Sequence, residues 1–408
     1  MKILCAFGQH NYGDPSRGEG YEYWNFIPAL KSLGHEVVFF ETWDRTRYRN
    51  FAELNRNFLT TVEAEQPDVV FCVLMHYELW TETLDMLREQ SNAVTINWGT
   101  DDSWKYRQFS RFLARHVDVY ATTSQHALLA ARRDGYDNFV ATQWAAGAAA
   151  LAEPLAARQC GQRVTFVGTA YGARARWIAA LQERGIEVEC YGHGWPRGPV
   201  AASAISGIIR NSIITLNFSD AGQSGGSSDD KSQIKARVFE VTAAGGFLLT
   251  QGASGLENYF VPGEEIAVFT NVDELEAAIR FFLDHPDARD RVAVAGHRRT
   301  RDCHTYELRF SALLAWALER RDRDVKKRGA TACRFNWAQV SQIESRHRAG
   351  GVLRMAGKAL VSICALIWGS RRGPRAARRL VFELSWRLAG EKTFSAVGIP
   401  GRLFYSES

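Results

Sequence analysis

Sulfur chemistry is scarce in this chain. Its 408 residues include seven cysteines, Cys5, Cys72, Cys160, Cys190, Cys303, Cys333 and Cys364, none of them at C-x-x-C spacing. An odd, scattered set excludes a disulfide framework and a cysteine zinc site, and predicts a reduced compartment. The leading stretch Met1 to Phe7 stops being apolar too early for a secretory leader and offers no small-residue cleavage site; a cytoplasmic protein is expected. The uncharged run Ala359 to Ser370 has 12 residues, fewer than the roughly 20 that a spanning helix needs. No G-x-G-x-x-G follows a first strand, which argues against a dinucleotide oxidoreductase.

Apolar material is ample, at 46% hydrophobic residues with 12 Trp, 13 Tyr and 23 Phe, so the chain is globular and long enough for two domains. The net charge of +5 is unevenly spread. From Arg321 to Ser408 there are 18 Lys and Arg against 6 Asp and Glu, leaving 32 against 39 for the rest. A mildly acidic body with a basic tail predicts an anionic partner for the tail.

Short Val-, Ile- and Phe-rich runs at Ile3 to Phe7, Val37 to Phe40, Val69 to Leu74, Val94 to Asn97 and Val117 to Ala121 alternate with helix-length segments such as Tyr21 to Leu33 and Thr81 to Gln90. Continuous apolar runs suit strands buried on both faces of a parallel sheet. The pattern lapses over Ala145 to Ala157 and restarts with strands at Val164 to Val167, Val188 to Tyr191, Ile213 to Phe218, Phe247 to Thr250 and Ile266 to Phe269. The expectation is an α/β protein of two Rossmann-like, doubly wound domains, 1–145 and 160–305, then a helix over 306–320 and a basic helical tail over 321–408.

The stretch Ser219 to Ser232 is a Gly/Ser loop between a strand and a helix. Free N–H groups and the positive end of the helix dipole there suit a phosphate, and a plain surface loop is the alternative. On the helix, Arg237 and Glu240 share a face at i, i+3 and either project into a cleft or pair on the surface. The run Lys235 to Glu240, then Ala244-Gly245-Gly246-Phe247-Leu248-Leu249-Thr250, Gly263-Glu264-Glu265, His285-Pro286, Ala295-Gly296 and His304-Thr305-Tyr306 resembles the CgeB-like, spore-maturation-type glycosyltransferases of the GT-B group 1 superfamily. Upstream, Phe166-Val167-Gly168 with Arg174 and Arg176, Tyr191-Gly192, Gly194-Trp195 and Leu216-Asn217-Phe218 keep the same order, so the resemblance spans about residues 163–318. Trp98 with Asp101-Asp102 and Gly18 to Tyr21 extend it loosely into the first half.

The resemblance implies a GT-B arrangement of the two domains facing a cleft, and transfer of a sugar from a nucleotide-sugar co-substrate to a glycan, lipid-linked or protein acceptor. Retention of configuration is implied, with no metal, no further cofactor and no nucleic acid. Glu240 would hold the nucleotide ribose, since a carboxylate accepts from two vicinal hydroxyls. Eight positions earlier stands Ser232, where related enzymes carry a second glutamate, with Asp229 and Asp230 as the nearest carboxylates. Lys235 and Arg237 would stabilise the departing diphosphate, with Arg174 or Arg176 approaching it, and Gly168, Tyr191, Asn217, Gly245 and Gly246 would complete the nucleotide-sugar site.

On the acceptor side, Asp101 or Asp102 would position or deprotonate the hydroxyl, or else cap the helix expected over Trp104 to Arg115. Gln9, His10 and Asn11, in the segment Gly8 to Gly20 after the first strand, would face the cleft and meet acceptor or donor, unless the segment's glycines simply serve turns. His76 with Glu78 has no partner at metal-ligand spacing, and Asp322-Arg323-Asp324 reads as a solvated face. A binding or structural protein on the same scaffold, or an epimerase, is the competing reading. In the tail, Leu380, Leu384 and Leu388 recur at i, i+4 and i+8 beside Arg375, Arg378, Arg379 and Arg387, as in a helix lying on an anionic membrane; packing on the body is the alternative. The family-like core ends near Leu318, so removal of the chain after about Arg328 is expected to leave a folded enzyme.

Overall fold

The computed structural model describes residues 1–219, 232–324, 332–370 and 372–405. It divides into two compact units, Met1–Thr142 with Ala312–Ser408, and Gln143–Ser311.

In the first unit six parallel strands are β1 (Lys2–Phe7), β2 (Glu36–Glu41), β3 (Val69–Cys72), β4 (Val94–Gly99), β5 (Val119–Thr122) and β6 (Phe139–Ala141). Their order in the sheet is β2-β1-β3-β4-β5-β6. Central strands β3, β4 and β5 are buried at every position, whereas β2 at the edge is exposed or half-buried over its first four residues. This is why the central strands read as unbroken apolar runs. Edge strand β6, only three residues long and partly exposed, gives no such run and has no counterpart among the sequence expectations. Helices cover both faces, among them Tyr21–Ser32, Phe51–Glu65 and Thr81–Gln90. The helix expected over Trp104 to Arg115 is composite: α from Asp102 to Lys105, a π segment Tyr106–Ser110, then α and 3-10 turns to His116.

In the second unit five parallel strands are β7 (Gln162–Val167), β8 (Glu189–Tyr191), β9 (Ser212–Asn217), β10 (Leu248–Gln251) and β11 (Ala267–Phe269), ordered β11-β10-β9-β7-β8. One core, around Phe166, Phe218 and Phe269, fills one face of the sheet, and another, around Phe239 and Phe260, fills the other.

The described part of 321–408 belongs to the first unit. Cys333, Phe335, Val340, Ile343, Phe394 and Ala396 lie in the same buried cluster as β1, β3 and the helix Phe51–Glu65. The Trp337 indole donates to Glu63 at 2.9 Å, the Cys333 amide to Gln66 at 2.7 Å, and Arg56 pairs with Glu344. The expectation that the tail is dispensable for folding is therefore corrected. Its apolar residues complete the first unit's core, and truncation would expose the side chains they cover. The helix Tyr306–Arg323 outlasts the expected 306–320, and the boundary between the units falls within it.

Candidate functional site

In a doubly wound sheet, ligands meet the carboxyl ends of strands where the strand order reverses. In the first unit that point lies between β1 and β3, and in the second between β7 and β9. The chain after β1 turns back on itself. Gly20 donates to the Gln9 carbonyl at 2.7 Å, and the Asn11 side chain donates to the carbonyls of Arg17 and Glu19. Buried Glu41, ending β2, accepts the Gln9 amide at 2.7 Å and those of Trp43 and Asp44. Asn11 is thus engaged in shaping its loop, while Gln9 and His10 are half-buried beside the edge.

Asp101 and Asp102 separate into two roles. Asp102 is buried, accepting from Ser110 at 2.5 Å and Tyr120 at 3.0 Å, and a Cβ at Gly99 would collide with its carboxylate. The π segment brings Ser110 onto it, and burial raises its pKa. Neither the capping expected of it nor direct contact with an acceptor fits that position; Asp102 fixes the turn that presents Asp101. Half-buried Asp101 lies 3.9 Å from the Lys105 ammonium. Lys105 is itself buried, donates to the Met75 carbonyl at 3.3 Å, and has its pKa lowered by burial.

Two groups here were not singled out in the sequence as reactive. Glu22, in the first turn of the helix after β1, is pushed up to about 7 by burial, with the Asp101 carboxylate adding to the effect. His76, following β3, is held neutral, its pKa well below the usual value through burial and the cations Lys105, Arg378 and Arg45. Glu78 accepts the amides of Met75 and His76 and shapes that turn. The only sequence signal for Glu22 is its place just after Gly18 to Tyr21.

In the second unit, Gly168 follows β7, where its carbonyl accepts from the Trp195 indole at 2.8 Å and a Cβ would meet Phe166 at 2.9 Å. Arg174 is buried, donating to the Thr169 carbonyl at 2.9 Å and the Tyr171 hydroxyl at 3.0 Å, with Tyr171's ring 3.9 Å from its guanidinium. It braces the loop after β7, whereas Arg176 is exposed in the first turn of the helix. The Tyr191 hydroxyl bonds Glu189 and Gln162 and so turns back along the sheet, and buried Asn217 donates to Thr250.

Residues 220–231, Asp229 and Asp230 included, lie outside the described residues; Ser232 is half-buried. Lys235 is the N-cap of helix Ala236–Ala243, and Arg237 and Glu240 pair on its first turns at 2.7 Å, both half-buried. Gly245 and Gly246 need correction as binding residues. They lie beyond that helix's far end, at the amino edge of β10. Gly245 has φ of 74° and a Cβ there would come within 2.5 Å of the Ala152 carbonyl, while one on Gly246 would meet Ile209 at 2.5 Å. Their smallness closes a turn and a packing contact. Ala295-Gly296 serves packing too, because a Cβ on Gly296 would strike the Glu265 carbonyl.

Two switch-point edges, each in its own Rossmann-like sheet, match known proteins in fold. Sucrose-phosphate synthase from Thermosynechococcus elongatus aligns at TM-score 0.57 and 12% identity, covering 78% of this chain and all of its own. HepE of Anabaena in complex with UDP-glucose aligns at 0.53 and 12%, covering 78% of this chain and 99% of its own. A Rickettsia africae glycosyltransferase aligns at 0.53 and 11%, covering 79% and 99%. The fold is that of the GT-B glycosyltransferases. Residues 174–315 of this GT-B chain match the model of a glycosyl transferase-like family. That match holds Arg176, Asn217, Lys235, Arg237 and Glu240. Among curated proteins none matches the chain.

Proposed function

We propose that the chain is a nucleotide-sugar-dependent glycosyltransferase of the CgeB-like type, whose second unit holds the donor and whose first unit presents the acceptor. The observation that carries this is the Arg237–Glu240 pair on the first turns of the helix after β9, with Lys235 as N-cap, inside the glycosyl transferase-like match. A cation pair at a helix N-terminus stabilises the charge that builds on a nucleoside diphosphate as the glycosidic bond breaks. Glu240, oriented by Arg237, accepts from the ribose hydroxyls. These cations suffice for the leaving group without a metal, and no cofactor beyond the donor is involved.

HepE is known in complex with UDP and with UDP-glucose, which makes a UDP-sugar the first donor to try. The motif resemblance supports retention. Glu22 favours a second reading, inversion, because a carboxyl titrating at about 7 is matched to taking the proton of an attacking hydroxyl near neutral pH. The site acts in the cytoplasm on a glycan, lipid-linked or protein hydroxyl. Incubating the chain with UDP-, GDP- and ADP-sugars, with and without chelator, and following nucleoside diphosphate release tests the activity. NMR of the product anomer separates retention from inversion. Conversion of the donor to an epimer without diphosphate release would contradict the reading.

A further inference from the structure

The helices Gly351–Trp368 and Gly373–Ala389 fold into a hairpin, with a close approach where a Cβ on Gly373 would fall 2.5 Å from Ala365. Its inner face carries Cys364 and Ala377 against Phe404, while Phe382 packs 6.1 Å from His76 and near Phe394. The outer face is apolar and uncovered. Val352 is 85% exposed, Leu366 88% and Leu388 85%, and Met355, Ile363 and Leu384 are exposed beside them. The first helix runs past the 12-residue stretch visible in the sequence to 18 residues, long and apolar enough by composition to cross a membrane. Its inner side, however, is anchored to the body, since Gly357 admits Leu403 to within 3.0 Å of its Cβ position.

Cations border this face. Between residues 351 and 389 the sequence carries eight Lys and Arg against one acidic residue, Glu383; of these Arg378 turns inward to Tyr77 and Arg387 pairs with Glu383, while Arg372, Arg375 and Arg379 are exposed. Near the start of the first helix a cavity of about 640 Å³ is lined by Arg49, Arg56, Arg348, Arg354 and Arg402. Arg49 and Arg56 pair with Glu53 and Glu344, whereas Arg348 and Arg354 form no ion pair among the described residues. A second copy of the chain docked through this face would set like charges against like, which costs several kcal/mol. An anionic surface reverses that sign.

We propose that the hairpin lies flat on an anionic lipid bilayer, with Val352, Met355, Ile363, Leu366, Leu384 and Leu388 at the acyl boundary and the arginines at the headgroups. An amphipathic, cation-edged helix pair is the form such interfacial binding takes. Because the hairpin's inner face meets His76 at the carboxyl edge of β3, docking sets that edge of the first unit close to the lipid.

The proposal does not depend on the transferase reading, and its test needs no turnover. The full chain is sedimented with phosphatidylcholine vesicles and with vesicles containing phosphatidylglycerol, at low and high salt. Binding is expected to favour the anionic vesicles by about tenfold or more and to weaken with salt. The double variant Leu366→Glu, Leu388→Glu changes two exposed positions, so its melting temperature should match the wild type while vesicle binding falls about tenfold or more. Equal pelleting with neutral and anionic vesicles, or undiminished binding by a folded double variant, would overturn the proposal. So would a concentration-dependent dimer in solution that the double variant abolishes, which would make a second copy the occupant.

Discussion

Glu22→Gln isolates the most displaced acid at the first unit's edge. The folded chain holds this proton up to about pH 7, against 4.5 in the ordinary case. At about 1.4 kcal/mol per pH unit the gap corresponds to about 3 kcal/mol, and partial hydration of a half-buried carboxyl lowers it to about 1–2 kcal/mol. The sign follows from which state keeps the proton. Between these two values the folded form binds more protons than the unfolded form, so the contribution is full below about pH 4.5 and lost as pH rises through about 7. Glutamine stays neutral throughout. Urea melts of both proteins should therefore nearly coincide at about pH 5, and at about pH 8 the variant should be more stable by about 1–2 kcal/mol. Other titrating groups are common to both and cancel in the difference. A wild-type-minus-variant difference that is the same at both pH values would mean that the fold does not hold Glu22 protonated. If Glu22 also accepts the acceptor's proton, the rise of kcat/KM through about pH 7 disappears in the variant.

The tail's structural role is tested by Phe394→Ala, which removes a buried ring 5.4 Å from Phe109 and should cost about 3–5 kcal/mol in a denaturant melt; a near-neutral result would detach the tail from the core. Gly245→Ala places a side chain at φ of 74° against the Ala152 carbonyl. It should destabilise by about 1–3 kcal/mol while leaving nucleotide affinity per folded molecule unchanged, and a selective loss of affinity would restore Gly245 to the binding site.

Much of the fold is legible in the sequence because strands buried on both faces leave unbroken runs such as Val69 to Leu74. Strand β6 leaves no such trace, since its three residues are half in solvent. The tail's integration is hidden for another reason: Cys333 finds its partner at Gln66, Phe335 at Glu63, and Val340 in the cluster with the helix Phe51–Glu65, a separation along the chain that no local pattern records. The donor side reads well where chemistry and position coincide, as in the i, i+3 pair Arg237 and Glu240. It misleads at Gly245 and Gly246, where a motif residue closes a turn, and at Arg174, whose charge braces a loop. Glu22 is legible only in three dimensions, because its burial and its proximity to Asp101 come from different strands' loops.

On the proposed function, the edge of the second unit binds a nucleoside diphosphate through Glu240 and its cations. Isothermal titration of the full chain with UDP, GDP and ADP tests it most directly, with Glu240→Ala run beside the wild type. Binding of one nucleotide by the wild type, weakened by about 1–3 kcal/mol in a variant with an unchanged melting profile, is the predicted result. No binding of any of the three by the wild type, or equal affinity in the folded variant, would contradict it.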